Sequence, residues 1–214
     1  RGELEAEALP QVGAYERFKA TSDASEMLEC INAGRLPHEV VTAHIPNEPQ
    51  LWTAAMYQMP IFALLRNLVT LYRHNVFEDH ESAQYVRQTL TDPKRIAGSR
   101  LFPFRFLAAA QQAAKQNLPA AITQALESAV ELAVTNVPVL PGRVLIANDI
   151  SGSMSAELSE KSDLTAADVA GVLAAALYKR CEQAQIVSFD QSAHPREHLG
   201  GRGILEIAKL VSAY

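Results

Sequence analysis

The sequence predicts a mainly α protein in which short, stacked helices give way near residue 140 to a partial α/β unit. Three observations carry this reading. Apolar residues recur at helical spacing as far as about residue 136, and prolines and capping residues interrupt those stripes at short intervals. Beyond "NVPVLPG", two compact apolar runs flank one further helical stripe.

Pro37 fits the first turn of a helix in "LPHEVVTAHI", and Asn47 fits the cap of one in "EPQLWTAAMYQM". Pro60 opens "IFALLRNLVTLYRH", whose Ile61, Leu64, Leu65, Leu68, Leu71 and Tyr72 share one face. Further helices are expected over 80–90 and 103–116. Another is expected over 119–135, where Ile122, Ala125, Leu126, Ala129, Val130 and Ala133 form the apolar stripe. Short helices with brief loops are expected to pair and stack as HEAT-like repeats, although no repeat of fixed period is visible.

The apolar run "RVLIAND" suits a strand buried on both faces. A polar loop over 150–164, a helix in "TAADVAGVLAAALYKRCE" and a second apolar run in "QAQIVSFD" complete a parallel β–α–β unit. The organisation is therefore a helical module over 1–139 and a partial α/β domain over 140–214. With 214 residues, 48% hydrophobic and 20% charged, the chain has enough apolar surface for one large core or two small ones. No apolar run approaches the roughly 18 residues of a membrane span, and the acidic opening "RGELEAEALP" is unlike a secretion signal. Cys30 and Cys181 have neither metal-ligand spacing nor a dense framework, so reduced thiols and a cytoplasmic location are expected. The absence of an initiating methionine is the start expected of a fragment or a trimmed chain.

Chemistry is concentrated at the end of the first strand, in "DISGSMS". If extended geometry continues past Asp149, then Asp149, Ser151 and Ser153 project to one side. Ligands of open α/β sheets bind beyond the carboxyl ends of the strands, which is where this loop falls. Three hard oxygen ligands with a single negative charge suit a divalent cation, Mg²⁺ foremost, leaving positions for water and an incoming acidic group. The bland alternative is a serine-rich loop with Asp149 accepting backbone N–H groups. A hydrolase reading of the serines lacks the G-x-S-x-G elbow and a histidine nearby in sequence.

The pattern D-x-S-x-S after an apolar strand resembles the metal-ion-dependent adhesion site of von Willebrand factor A domains. Taken with "GRLPHEVVTAHI", "LWTAAMYQMPIFALLRNLVTL" and "DPKRIAGSRLFPFRFLAAAQ", it resembles the ordered series of Ro ribonucleoproteins, where a helical TROVE module precedes an A domain. The resemblance covers roughly residues 34–190. It implies a ring of helical repeats that binds small noncoding Y-type RNAs and the single-stranded ends of misfolded RNAs. A family A domain also supplies a threonine from a second loop and an aspartate from a later strand. Here "HLGGRGILEIAKL" has Arg202 in place of that threonine. Two evident strands are too few to cover the faces and edges of such a sheet, so further strands or a partner are expected to complete it.

The net charge is -5, yet residues 87–115 carry six cations against Asp92 alone, a local charge of +5. Lys94, Arg95, Arg100 and Arg105 are the candidate RNA-binding residues, tracking phosphates without reading bases. The phenylalanines of "LFPFRFL" are expected to pack inward, Trp52 to be core, Arg66 to be structural, and His38 and His44 to serve as solvent-facing or capping residues. The reading is a non-enzymatic, RNA-binding ribonucleoprotein component. Its rival is a divalent-metal-dependent scaffold that captures a protein partner at the Asp149 loop and binds no RNA.

Overall fold

The computed structural model describes residues 9–159 and 162–213. It divides into two compact units, Arg1–Tyr85 and Val86–Tyr214.

The first unit contains α1 (Pro10–Ala20), α2 (Ala24–Gly34), α3 (His38–Val41), α4 (Pro49–Tyr57) and α5 (Ile61–Arg73), with α6 (His80–Thr91) carrying the point of division. Proline starts α1 and α4, where its missing N–H costs nothing. Asp23 caps α2 by accepting the Glu26 N–H at 2.9 Å. The helices close over Phe18, Ile31, Leu36, Val41, Leu51 and Ala55. Gly34 permits a close approach, because a β-carbon there would collide with that of Ala14. Helix α5 buries Leu64, Leu65, Leu68 and Leu71 as its stripe predicts, while Ile61 is half-buried and Tyr72 is exposed.

Three expectations for this unit are corrected. The helix read from "LPHEVVTAHI" is only four residues long. Asn47 does not cap α4, because Glu48 holds that position and Asn47 instead meets His74 through Oδ1 and Nδ1. The His74 ring stacks on Trp52 at 3.9 Å, and the Trp52 indole donates to the Pro46 carbonyl at 3.1 Å. Trp52 is core, as expected; His38 is buried and meets Glu39 at 3.0 Å, contrary to its solvent-facing reading.

The second unit comprises α7 (Pro93–Ser99), α8 (Pro103–Lys115), α9 (Ala120–Leu132), β1 (Arg143–Asp149), β2 (Glu157–Ser159), β3 (Ser162–Thr165), α10 (Ala166–Arg180), β4 (Gln183–Phe189), β5 (Ala193–Arg196) and α11 (Ile204–Ser212). The change of character near residue 140 falls inside this unit, between the 3₁₀ turn that ends at Asn136 and the start of β1. Strands β1 and β4 are parallel and in register, Ile146 opposite Ile186, and α10 forms the crossover. A capping box starts that helix, with Thr165 and Asp168 each accepting from the other's backbone N–H.

The sheet holds more than the two strands evident in the sequence. β5 adds an antiparallel edge to β4, giving the order β1-β4-β5, and β2 pairs with β3 as a separate hairpin inside the loop expected to be irregular. Pro195 in β5 is tolerated because edge strands need not donate on both sides. Helices α10 and α11 pack side by side over Ile146, Asn148, Ile186 and Ser188. Gly171 allows their contact, since a β-carbon there would strike Ser212 and the Ala208 carbonyl. Among the described residues the opposite face is open, with Leu145 68% exposed. The fold class is thus mainly α, helical repeats followed by a small α/β part.

One buried polar contact pins α11 to the sheet. The Val211 carbonyl, one of the orphan acceptors at a helix end, receives Asn148 Nδ2 at 3.0 Å and Ser188 Oγ at 2.5 Å from neighbouring strands. Replacing Asn148 by alanine is expected to lower unfolding free energy by about 1–3 kcal/mol. Urea denaturation checks this, and a loss below roughly 0.5 kcal/mol would show that Ser188 alone suffices.

Candidate functional site

The β1 strand ends where the Ile150 N–H bonds to the Phe189 carbonyl at 2.8 Å, which delivers Ser151 just past the sheet edge. Extended geometry continues only to Ser151; Gly152–Ser155 then coil into a 3₁₀ turn. The expected trio nevertheless gathers. Ser151 N–H donates to Asp149 Oδ1 at 2.8 Å, and the Ser151 and Ser153 hydroxyl oxygens lie 3.1 Å apart. The Ser151 backbone N–H, and then its hydroxyl, hold the Asp149 carboxyl below its ordinary pKa, with burial opposing them. Asp149 is therefore ionised at neutral pH, as a cation ligand must be.

The donor set is one carboxylate and two hydroxyls. It fits a hard cation that keeps several waters, and no group of three or more His, Cys, Asp or Glu ligands exists among the described residues. Asp190, at the end of the adjacent strand, is already engaged. Its carboxylate accepts from Ser192 N–H at 2.9 Å and meets His194 Nε2 at 3.0 Å, and these interactions lower its pKa.

Lys94, Arg95, Arg100 and Arg105 are all exposed, and all lie on α7, at its end or at the start of α8. Asp92 caps α7, accepting the N–H groups of Lys94 and Arg95 at 2.8 and 3.3 Å. The Arg95 side chain is drawn back to Thr89 Oγ1 at 2.7 Å and to Asp92 at 3.8 Å. Arg100 closes α7 with a left-handed backbone, φ 56°. The Arg105 guanidinium lies 5.0 Å from the Phe104 ring centre.

Residues 38–121 match the TROVE domain model. Over 149 residues the chain is 36% identical to the RNA-binding protein RO60 of Deinococcus radiodurans, covering 64% of this chain and 26% of that protein. Over 171 residues it is 30% identical to RO60 of Caenorhabditis elegans, covering 73% and 26% respectively. The crystal structure of the Deinococcus radiodurans RO (RSR) protein superposes with a TM-score of 0.83 at 24% identity, over 98% of this chain and 45% of that one. The chain belongs to the Ro family. It spans about a quarter of the length of the curated Ro relatives it matches.

Part of what shapes the cationic surface of this Ro-family chain lies beyond local sequence pattern. Phe106 is fully buried, but Phe102 is 41% exposed and Phe104 half-buried, with ring centres 6.4 Å apart. The inward packing expected for all three is thus corrected. Helix α8 buries Pro103, Phe106, Ala110 and Ala113 along one stripe, and Phe102 precedes the helix, outside that stripe. Asn136 is a residue that sequence reasoning does not reach. Its amide donates to the carbonyls of Ile96 and Leu101 at 3.0 and 2.8 Å, fixing the corner where Arg100 sits. Nothing in the local pattern around Asn136 signals that partnership, which spans 40 residues.

The lowered pKa of Asp149 sets a sign for its pH behaviour. Its stabilising contribution is complete above the unfolded value of about 3.9 and fades as pH falls through the lower folded value. In a carboxyl-carbon NMR titration, Asp149 is expected to titrate below that value. Ser151→Ala is expected to move its midpoint upward without restoring it fully, because the backbone N–H remains; an unshifted midpoint would remove the hydroxyl from the account.

Proposed function

We propose that this chain is an RNA-binding ribonucleoprotein component, taking single-stranded or small noncoding RNA, Y-type and misfolded RNAs included. One observation carries the reading: Lys94, Arg95, Arg100 and Arg105 cluster on one short helix, its end and the start of the next, beside the exposed Phe102 and the half-buried Phe104. All six fall within the stretch that matches the TROVE domain. The relatives' description as RNA-binding proteins supports the same conclusion. Cations neutralise phosphates and release counterions, while aromatic faces accept stacked bases of any sequence. Arg95, held by Thr89 and Asp92, is expected to contribute less than Lys94.

On this reading residues 1–139 are the C-terminal part of a TROVE-like helical module, and 140–214 are part of a von Willebrand factor A-like domain. The work is binding and not catalysis. Asp149, Ser151 and Ser153 would hold Mg²⁺, and the cation would offer its remaining positions to water or to an acidic group of a protein partner. The two buried free cysteines accord with a reducing, cytoplasmic compartment.

Binding of a short single-stranded RNA, followed by fluorescence anisotropy across a salt series, should weaken steeply as salt rises. The double variant Lys94→Glu, Arg105→Glu should bind more weakly whatever the sequence, and its log–log salt slope should fall by about 0.7 for each phosphate it no longer neutralises. Chelation or Asp149→Ala should leave this binding intact. Absence of affinity even at low salt would overturn the proposal, and loss of binding on chelation would move the RNA site to the Asp149 loop.

A further inference from the structure

We infer that the first unit carries a second, separate RNA contact: a cleft at the start of α5 that receives one unpaired nucleobase, stacked on Phe62 with Arg66 at its side. The inference rests on the RNA-binding reading above and deepens it by naming a base subsite. The cleft encloses about 320 Å³ and is lined by His38, Glu39, Pro60, Phe62, Arg66 and Asn67, all within one compact unit. That volume lies at the lower end of small-molecule sites, where a single base belongs.

Phe62 and Arg66 are four residues apart on α5 and so share one face of the helix. That face is not the buried one, which carries Leu64, Leu65, Leu68 and Leu71. Phe62 is 42% exposed. The Arg66 guanidinium lies 5.7 Å from the centre of its ring, and no ion pair to Arg66 occurs among the described residues. The sequence leads one to expect a structural role for Arg66, and its contact with the Phe62 ring is compatible with one; the charge also faces solvent. A cation held beside an exposed ring is the pairing with which single-strand binders hold a base and its phosphate together.

Pro60 caps α5, and the Asn67 amide donates to the Ala63 carbonyl one turn back at 2.9 Å. At the rim, the buried His38 turns Nδ1 toward the largely exposed Glu39 carboxylate at 3.0 Å. That carboxylate is an acceptor for the N–H edge of a base. The N–H edge of a base suits Glu39, whereas an anionic group, whether a phosphate of the strand or an acidic side chain, would be repelled by it.

The experiment uses the full chain and a ten-nucleotide single-stranded RNA of mixed sequence, with anisotropy as the readout. Phe62→Ala should raise Kd about 5- to 100-fold with the salt slope unchanged, because stacking releases no counterions. Phe62→Tyr should bind like wild type, and Arg66→Gln should weaken binding while lowering the slope by about 0.7. Phe62 is exposed, so circular dichroism should show each variant folded. Wild-type affinity in Phe62→Ala overturns the base subsite alone, while RNA binding absent from the wild type overturns it together with the function it rests on. An acidic peptide that competes with RNA in the wild type but not in Phe62→Ala would also overturn it, in favour of a protein ligand.

Discussion

Helices α5 and α8 are short and each buries a single apolar stripe, and the proposed RNA-binding surfaces follow from that constraint. Helix α5 has 13 residues, and committing its four leucines to the interior leaves Phe62 and Arg66 on the outer face. Helix α8 is equally long, and burying Pro103, Phe106, Ala110 and Ala113 leaves Arg105 outside, with Phe102 beyond the helix start. Short helices also bring many ends to the surface. Cap positions such as Arg100 are then displayed at corners instead of being covered by a following turn. The same pattern of burial therefore holds each unit together and presents cations beside aromatic rings.

The α/β part obeys a different constraint, the parallel register of β1 with β4. Pairing Asp149 with Phe189 lets the Ile150 N–H donate to the Phe189 carbonyl, and the chain then leaves the sheet with Ser151 beside the carboxylate. The same register places Asn148 opposite Ser188, so both reach the Val211 carbonyl and draw α11 onto the covered face. Arg196 of the edge strand donates to Ser188 Oγ at 2.9 Å and extends the network to β5. Sheet register thus determines both the oxygen cluster at the strand ends and the helical layer that supports it.

What depends on local periodicity is legible in the sequence. The stripes of α5, α8 and α9, the β1–α10–β4 unit and the D-x-S-x-S loop can all be read from spacing, because each expresses interactions within a few residues or along one face. Helix α11 is legible in the same way, since Ile204, Ile207, Ala208 and Val211 follow helical spacing. Reading that segment as a ligand-bearing loop hides its periodicity. What is not legible is long-range. Asn136 bonding to Ile96, Asn47 turning to His74, and the antiparallel addition of β5 all depend on residues brought together only by folding. The exposure of Phe102 and Phe62 is hidden for a related reason, because aromatic residues beside helix starts are usually core.

On the proposed function the helices, and not the strand-end loop, take hold of RNA. Photocrosslinking a single-stranded RNA containing 4-thiouridine to the full chain, followed by mass spectrometry of the adducts, tests it most directly. The account predicts crosslinks within residues 60–67 and 94–106. Crosslinks confined to residues 143–196, or none at concentrations that saturate a known single-strand binder, would contradict it.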